Sequence, residues 1–210
     1  METGAVIIAF QIIVLVFSVM IHEVSHGLVA LKLGDRTALN ANRLNLNPFN
    51  HLDPFGSVIL PFILALAGGP IFGWAKPVPY NPYNLRNPKS GGGLIAAAGP
   101  ASNVLLALIF ALIIRASGII PISSTLIILF NYIVIINLAL AFFNLIPIPP
   151  LDGSKVLFSL LPTGSMQGMQ NFLNRYGFFI LLSIVFFGIR FLAPLIQWGH
   201  ALLVGPNFGL

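Results

Sequence analysis

Residues 22–26 read His-Glu-Val-Ser-His and lie inside an apolar run that begins at about residue 5 and becomes polar only at residues 32–36. Two histidines four positions apart lie on one face of a helix, so both imidazoles can bind one Zn²⁺ ion. Glu23, beside the first histidine, can then activate the attacking water. Three ionisable side chains within five positions are costly in hydrocarbon unless they have a function. The alternative, polar residues packed against other helices, does not account for that cost, and we favour a catalytic metal site.

The composition is that of a membrane protein. Of the 210 residues, 57% are hydrophobic and 7% are charged, whereas a soluble domain contains roughly a quarter charged residues. The length allows four or five spans with short loops, so we expect a single integral membrane domain over residues 1–210. The net charge of +5 is better explained by membrane topology than by nucleic-acid binding, because the chain has no basic patch interleaved with aromatic residues.

The apolar runs predict an all-α polytopic membrane protein. We expect about four full transmembrane helices, over residues 4–33, 94–115, 125–145 and 176–204. A further apolar stretch, residues 56–72, is short and interrupted by proline and glycine, which favours a re-entrant segment over a full span.

Two short segments between the helices are predicted to be extended. The leucines in residues 43–47 alternate with polar residues, which suits a short strand. Residues 73–82 are rich in proline, which favours an extended segment at the membrane interface, and Lys89 and residues 91–93 are expected to close that loop.

Zinc needs a third protein ligand, and the absence of cysteine limits the choice to His51, Asp53, Asp152 or His200. His51 and Asp53 are more simply explained as a hydrogen-bonded loop cluster, and His200 as an interfacial residue. Asp152 follows a proline-rich passage that breaks the preceding helix, and irregular backbone at membrane depth is tolerated where it lines a wet cavity. Asp152 is therefore the best candidate, although it could also cap a short helix over residues 153–161.

The depth of Asp152 in the membrane depends on how many spans precede it. If residues 56–72 are re-entrant, three spans precede Asp152 and it lies on the same side as His22 and His26. If they cross fully, the ligands are separated by most of a bilayer. The first arrangement also collects eight basic residues on one side, which the positive-inside rule makes cytoplasmic: Lys32, Arg36, Arg43, Lys76, Arg86, Lys89, Lys155 and Arg175.

Three motifs together resemble the site-2 protease family of intramembrane zinc metalloproteases. Residues 22–26 resemble the H-E-x-x-H of that family, residues 144–153 resemble its N-x-x-P-x-x-P-L-D-G, and residues 98–103 resemble its A-G-P-x-x-N. Residues 47–56 and 72–79 resemble a compact subgroup that has no PDZ or CBS domain. By itself, Asn103 is interpreted as a structural polar group in the membrane, with a role in the site as the alternative.

The resemblance implies a role for each residue that matches a motif. His22, His26 and Asp152 would bind one zinc ion per chain, Glu23 would be the general base, and Asn144 would help to hold the substrate or the oxyanion. The substrates would be membrane proteins, cut in or near a transmembrane segment after local unwinding. An unwound substrate strand could pair with one of the predicted extended segments, at residues 43–47 or 73–82.

The expected location is the cell membrane, as a multi-pass protein with the active site towards the cytoplasm. Two alternatives remain at this point: a membrane zinc hydrolase of a non-peptide substrate, and a non-catalytic membrane scaffold or transporter. For transport we find one broken passage rather than the matched pair that such proteins use.

Overall fold

The architecture is a helical bundle built around one central helix. The computed structural model describes residues 2–59, 63, 66, 75–162 and 167–205, and these residues contain helices and turns but no strand. The α-helices, in chain order, are α1 (Glu2–Lys32), α2 (Thr37–Asn40), α3 (Pro48–His51), α4 (Pro88–Ala116), α5 (Ser124–Asn144), α6 (Asp152–Leu160), α7 (Gln167–Ser183) and α8 (Leu192–Val204).

Three of the described helices, α1, α4 and α5, are long and apolar enough to cross a membrane. The number rises to four if two consecutive stretches, Gln167–Phe187 and Leu192–Val204, count as one span, although they are bent by 74°. The prediction of a multi-pass, all-helical membrane protein is therefore confirmed. The predicted last helix, residues 176–204, is not continuous, because a π-helical turn (Ile184–Gly188) and a 3-10 turn (Ile189–Phe191) interrupt it.

Helix α4 is the central element, and it packs against α1, α5, α6 and α8. Small side chains on α4 let its neighbours approach closely, as Ala107 and Ala111 do in the largest buried apolar cluster. That cluster also contains Val134 and Leu138 of α5 and Val204 of α8. Its position towards one end of α4 leaves the other end of this helix to line the polar site.

Helix α4 begins at Pro88, six residues before the predicted start, and residues 91–93 are helical rather than part of a loop. The local cause is an N-cap: the Asn87 side chain accepts a hydrogen bond from the backbone N–H of Ser90, and Pro88 has the backbone angle that the first turn requires. The side chain of Ser159 on α6 packs directly against the backbone of Gly93, so that a Cβ at position 93 would collide with it.

The predicted strand at residues 43–47 is wrong. Asn42 adopts a left-handed backbone angle (φ 51°), and the Asn45 side chain donates a hydrogen bond back to the Asn42 carbonyl, which closes a turn instead. Of the predicted re-entrant segment, residues 56–72, the structure describes only residues 56–59, 63 and 66. Residues 73 and 74 also lie outside the described residues. Residues 75–81 are neither helix nor strand.

Asp35 ties the end of α1 to the segment that leads into α4. Its carboxylate accepts hydrogen bonds from the backbone and hydroxyl of Thr37, the backbone of Asn81 and the amide of Asn84. Burial alone would raise the pKa of Asp35, but these hydrogen bonds outweigh burial and hold the pKa below its ordinary value. Asp35 is therefore a carboxylate at neutral pH and fixes the route of residues 75–84 past α1.

Candidate metal centre

The two histidines of α1 face the same point, as their spacing predicts. His22 is buried, and its ring centroid lies 4.7 Å from that of His26, with the two rings nearly perpendicular. Donor atoms of His22, Glu23 and His26 lie within 4.8 Å of one another. The helix therefore presents two imidazoles and one carboxylate to one small volume.

Asp152 lies opposite the two rings. Its Oδ2 atom is 3.1 Å from Nε2 of His22 and 3.1 Å from Nε2 of His26. Asp152 is the first residue of α6 and makes no capping bond, because the cap position is occupied by Leu151. The interpretation of Asp152 as a cap is therefore wrong.

A close approach of the backbone directs Asp152 towards the histidines. Gly153 lies so near the carbonyl oxygens of Leu145 and Ile146 that any side chain at this position would collide with them. The chain thus folds back on the end of α5 immediately after the proline-rich passage. This reversal begins α6 beside α1, so that a residue 130 positions after His22 reaches its ring.

The donor set at this point fits zinc. Nδ1 of His26 lies 2.6 Å from the Ile95 carbonyl oxygen, which can only accept, so in a neutral imidazole the single N–H points there and Nε2 presents a lone pair to Asp152. A lone pair facing a carboxylate oxygen is unfavourable unless a cation lies between them. Zinc bound tetrahedrally by nitrogen and oxygen has ligand atoms about 3.3 Å apart, close to the 3.1 Å found between Nε2 and Oδ2.

Glu23 is held at the site by the segment that follows residue 74. Its Oε2 accepts a hydrogen bond from the backbone N–H of Val78 at 2.8 Å. That segment is itself anchored two residues earlier, where the Lys76 N–H donates to the His51 carbonyl and the Lys76 carbonyl accepts from Arg43. The position of the Glu23 carboxylate therefore depends on tertiary contacts as well as on α1.

The same segment offers a substrate strand few backbone hydrogen bonds. Pro77 and Pro79 have no N–H, and both backbone polar groups of Lys76 already have partners. Pairing with residues 75–80 would therefore use mainly carbonyl groups of this segment.

The other candidate residues have hydrogen-bond partners other than the two histidines and Asp152. His51 bonds the Asn45 carbonyl through Nε2, and Asp53 accepts from the backbone N–H of Gly56, in agreement with a loop cluster. His200 is buried, and its Nε2 lies 2.6 Å from Oδ1 of Asn131. The Asn144 amide donates to the Leu140 carbonyl of its own helix, and among the described residues it has no hydrogen bond to the histidines or to Asp152.

Asn103 is the residue whose place in the site the sequence left open. Its Oδ1 lies 2.6 Å from Nδ1 of His22, on the side of the ring away from Asp152. In the sequence, this contact was indicated only by the position of Asn103 inside an apolar span, where an amide needs a polar partner. A metal-binding histidine commonly donates its second ring N–H to such an acceptor, so the structure favours a role in the site.

The fold and the site together define a class: a multi-pass helical membrane protein with a buried centre of two histidines and an aspartate and an adjacent glutamate. The family model described as Peptidase family M50 matches residues 115–184, which include Asp152. A Bacillus subtilis (strain 168) protein named "Putative zinc metalloprotease YwhC" is 38% identical over 199 residues, covering 91% of this chain and 87% of its own length.

Two further relatives have the same kind of name. Rip2 of Mycolicibacterium smegmatis is 25% identical over 80% of this chain and 63% of its own length, and MJ0611 of Methanocaldococcus jannaschii is 34% identical over 70% of this chain and 72% of its own length. No solved structure matches the chain.

The chain belongs to peptidase family M50, the site-2 proteases. The prediction of an intramembrane zinc metalloprotease is confirmed, and so is zinc as the cofactor. The alternatives, a scaffold, a transporter or a hydrolase of non-peptide substrates, are not favoured.

Proposed function

We propose that His22, His26 and Asp152 together hold one zinc ion and that Glu23 is the general base for hydrolysis of a peptide bond in or near a substrate's membrane helix. The observation that carries this proposal is the approach of both Nε2 atoms to the same oxygen of Asp152, at 3.1 Å each. Zinc bound there supplies a Lewis acid that polarises the scissile carbonyl.

Glu23 takes the proton of the attacking water and later passes it to the leaving amine. The hydrogen bond from the backbone N–H of Val78 to Oε2 restrains the orientation of the Glu23 carboxylate. Asn144, the last residue of α5, contacts the substrate or the oxyanion in this proposal. This role is supported by the position of Asn144 just before the proline-rich passage that leads to Asp152.

The ligand set is tested by the zinc content and zinc affinity of the purified protein. Wild type is expected to contain about one zinc ion per chain. Asp152→Ala should lower the affinity by more than the roughly 10–100-fold that loss of an outer hydrogen-bond partner costs, because a direct ligand is removed. Asp53→Ala is the matched control and should retain zinc, since the Asp53 carboxylate bonds the backbone of Gly56. Equal zinc affinity in the two variants would contradict the proposed ligand set.

We also propose that the protein resides in the cell membrane with the active site towards the cytoplasm, on the basis of the eight basic residues on that side. The chain has no cysteine, so single cysteines can be introduced at two highly exposed positions, Tyr83 and Ile119. An impermeant maleimide added outside intact cells should label Ile119→Cys and leave Tyr83→Cys unlabelled. The reverse pattern would place the site on the outer side.

A further inference from the structure

We propose that Asn103 is a positioning residue that fixes the tautomer of His22, and that it is itself fixed by a chain of buried amides that begins at a backbone carbonyl. This inference rests on the proposed function, because it concerns how His22 presents Nε2 to zinc. The hydrogen-bonded series consists of four residues that are all buried: Ser18, His22, Asn103 and Asn137. Each hydrogen bond among them is therefore shielded from water, and a misdirected donor would have no replacement partner.

The amide orientations in this hydrogen-bonded series are fixed first at Asn137 on α5. The Asn137 Nδ2 atom lies 2.9 Å from the carbonyl oxygen of Ile133, and a carbonyl oxygen can only accept, so the amide nitrogen must face it. Nδ2 also lies 2.9 Å from the Ser18 hydroxyl. This orientation leaves Oδ1 of Asn137 pointing towards α4.

The orientation of the Asn137 amide fixes that of Asn103, which in turn fixes the tautomer of His22. Its Nδ2 donates to Oδ1 of Asn137 at 2.9 Å, so its own Oδ1 must face the imidazole of His22 at 2.6 Å. Two acceptors cannot face each other at this distance, so Nδ1 of His22 carries the hydrogen. A neutral imidazole has one N–H, and the lone pair of Nε2 is therefore directed at Oδ2 of Asp152.

The other histidines provide a contrast within the same molecule. His26 donates from Nδ1 to the Ile95 carbonyl and is the same tautomer as His22. His51 and His200 use Nε2 instead, towards the Asn45 carbonyl and Oδ1 of Asn131. The structure therefore assigns the Nδ1–H tautomer to the two site histidines and the Nε2–H tautomer to the two histidines elsewhere.

The test combines a spectroscopic and a binding measurement on the full chain. In the metal-free protein, labelled with ¹⁵N-histidine, His22 and His26 should carry a hydrogen on Nδ1, and His51 and His200 should carry one on Nε2. His22→Gln identifies the His22 signals. Asn103→Leu should remove the fixed Nδ1–H state of His22 and lower zinc affinity roughly 10–100-fold.

Asn131→Leu is the matched control. It removes the same type of side chain from the same 2.6 Å contact with a histidine, but at His200. It should leave zinc affinity unchanged to within about twofold, because His200 is not an expected ligand. Asn137→Leu should weaken zinc binding by less than Asn103→Leu, since it leaves the Asn103 amide in place but frees it to turn.

Each outcome decides the inference. An Nε2–H tautomer for His22 in wild type would overturn it, and this result needs no variant that folds. Equal losses of zinc affinity in Asn103→Leu and Asn131→Leu would also overturn it, since a buried amide would then matter only for packing. Failure of wild type to bind zinc would instead contradict the proposed function, and it would leave the tautomer result standing.

Discussion

Glu23→Gln is expected to retain zinc and to cut a model single-span membrane protein roughly 10²–10⁴-fold more slowly than wild type in detergent. Glutamine has nearly the shape of glutamate and keeps an oxygen that can accept the hydrogen bond from Val78, so the geometry should persist. An amide has no useful basicity, and it cannot take the proton of the attacking water. The measurements are zinc content by elemental analysis and kcat with a substrate that the wild type cuts.

The control for Glu23→Gln is the same substitution at Glu2, the first residue of α1. It should change neither zinc content nor kcat. Loss of zinc in Glu23→Gln would show that Glu23 is a zinc ligand. The structure allows this alternative, because a carboxylate oxygen of Glu23 lies within 4.8 Å of the histidine donor atoms. Cleavage within about tenfold of wild type would exclude Glu23 as the base.

Gly99→Ala is expected to weaken zinc binding and to lower kcat roughly 10²-fold, because a displacement of about 1 Å at a site costs this much. Gly99 lies on α4 directly against the two histidine rings, and an added Cβ would be 2.5 Å from Cε1 of both. Neither ring can retreat without breaking the hydrogen bond from its Nδ1 atom, to Asn103 or to Ile95. The helices α1 and α4 must separate, or the rings must turn away from Asp152.

The control for Gly99→Ala is Gly92→Ala, seven residues earlier on the same helix. An added Cβ at Gly92 meets only the Tyr80 hydroxyl, at 3.9 Å, so zinc content and cleavage should stay at the wild-type level. Alanine favours a helix by about 1 kcal/mol over glycine at either position, so a difference between the variants reports the collision rather than helix propensity. Normal zinc binding in Gly99→Ala would mean that α1 and α4 can separate without loss of the site.

The proposed site residues were predictable to the extent that they depend on local periodicity or on topology. The four-residue spacing of His22 and His26 requires only a helix to bring them together. Asp152 was selected because it follows the proline-rich passage that breaks the preceding helix, and it lies beside the two histidines. Asn144 stays a prediction, because its one hydrogen bond lies within its own helix.

The partners that orient those residues were not predictable in the same way. His22 and Asn103 are 81 positions apart, and Asn103 and Asn137 are 34 apart. An amide inside an apolar span needs some partner, but hydrophobic periodicity does not specify which one. The turn at residues 42–45 and the early start of α4 depend instead on local side-chain hydrogen bonds, which hydrophobic periodicity does not show either.

By itself, the sequence determined that this chain is a helical membrane protein, and it determined the residue types that can hold and use zinc. Long apolar runs must form helices in a bilayer, since every backbone polar group needs a partner there, and charged residues inside them are retained only for a function. The tertiary structure alone decided which nitrogen of each histidine faces Asp152 and what holds Glu23. These features depend on directed hydrogen bonds between helices that are distant in the chain, and they exist only once α1, α4 and α5 have packed together.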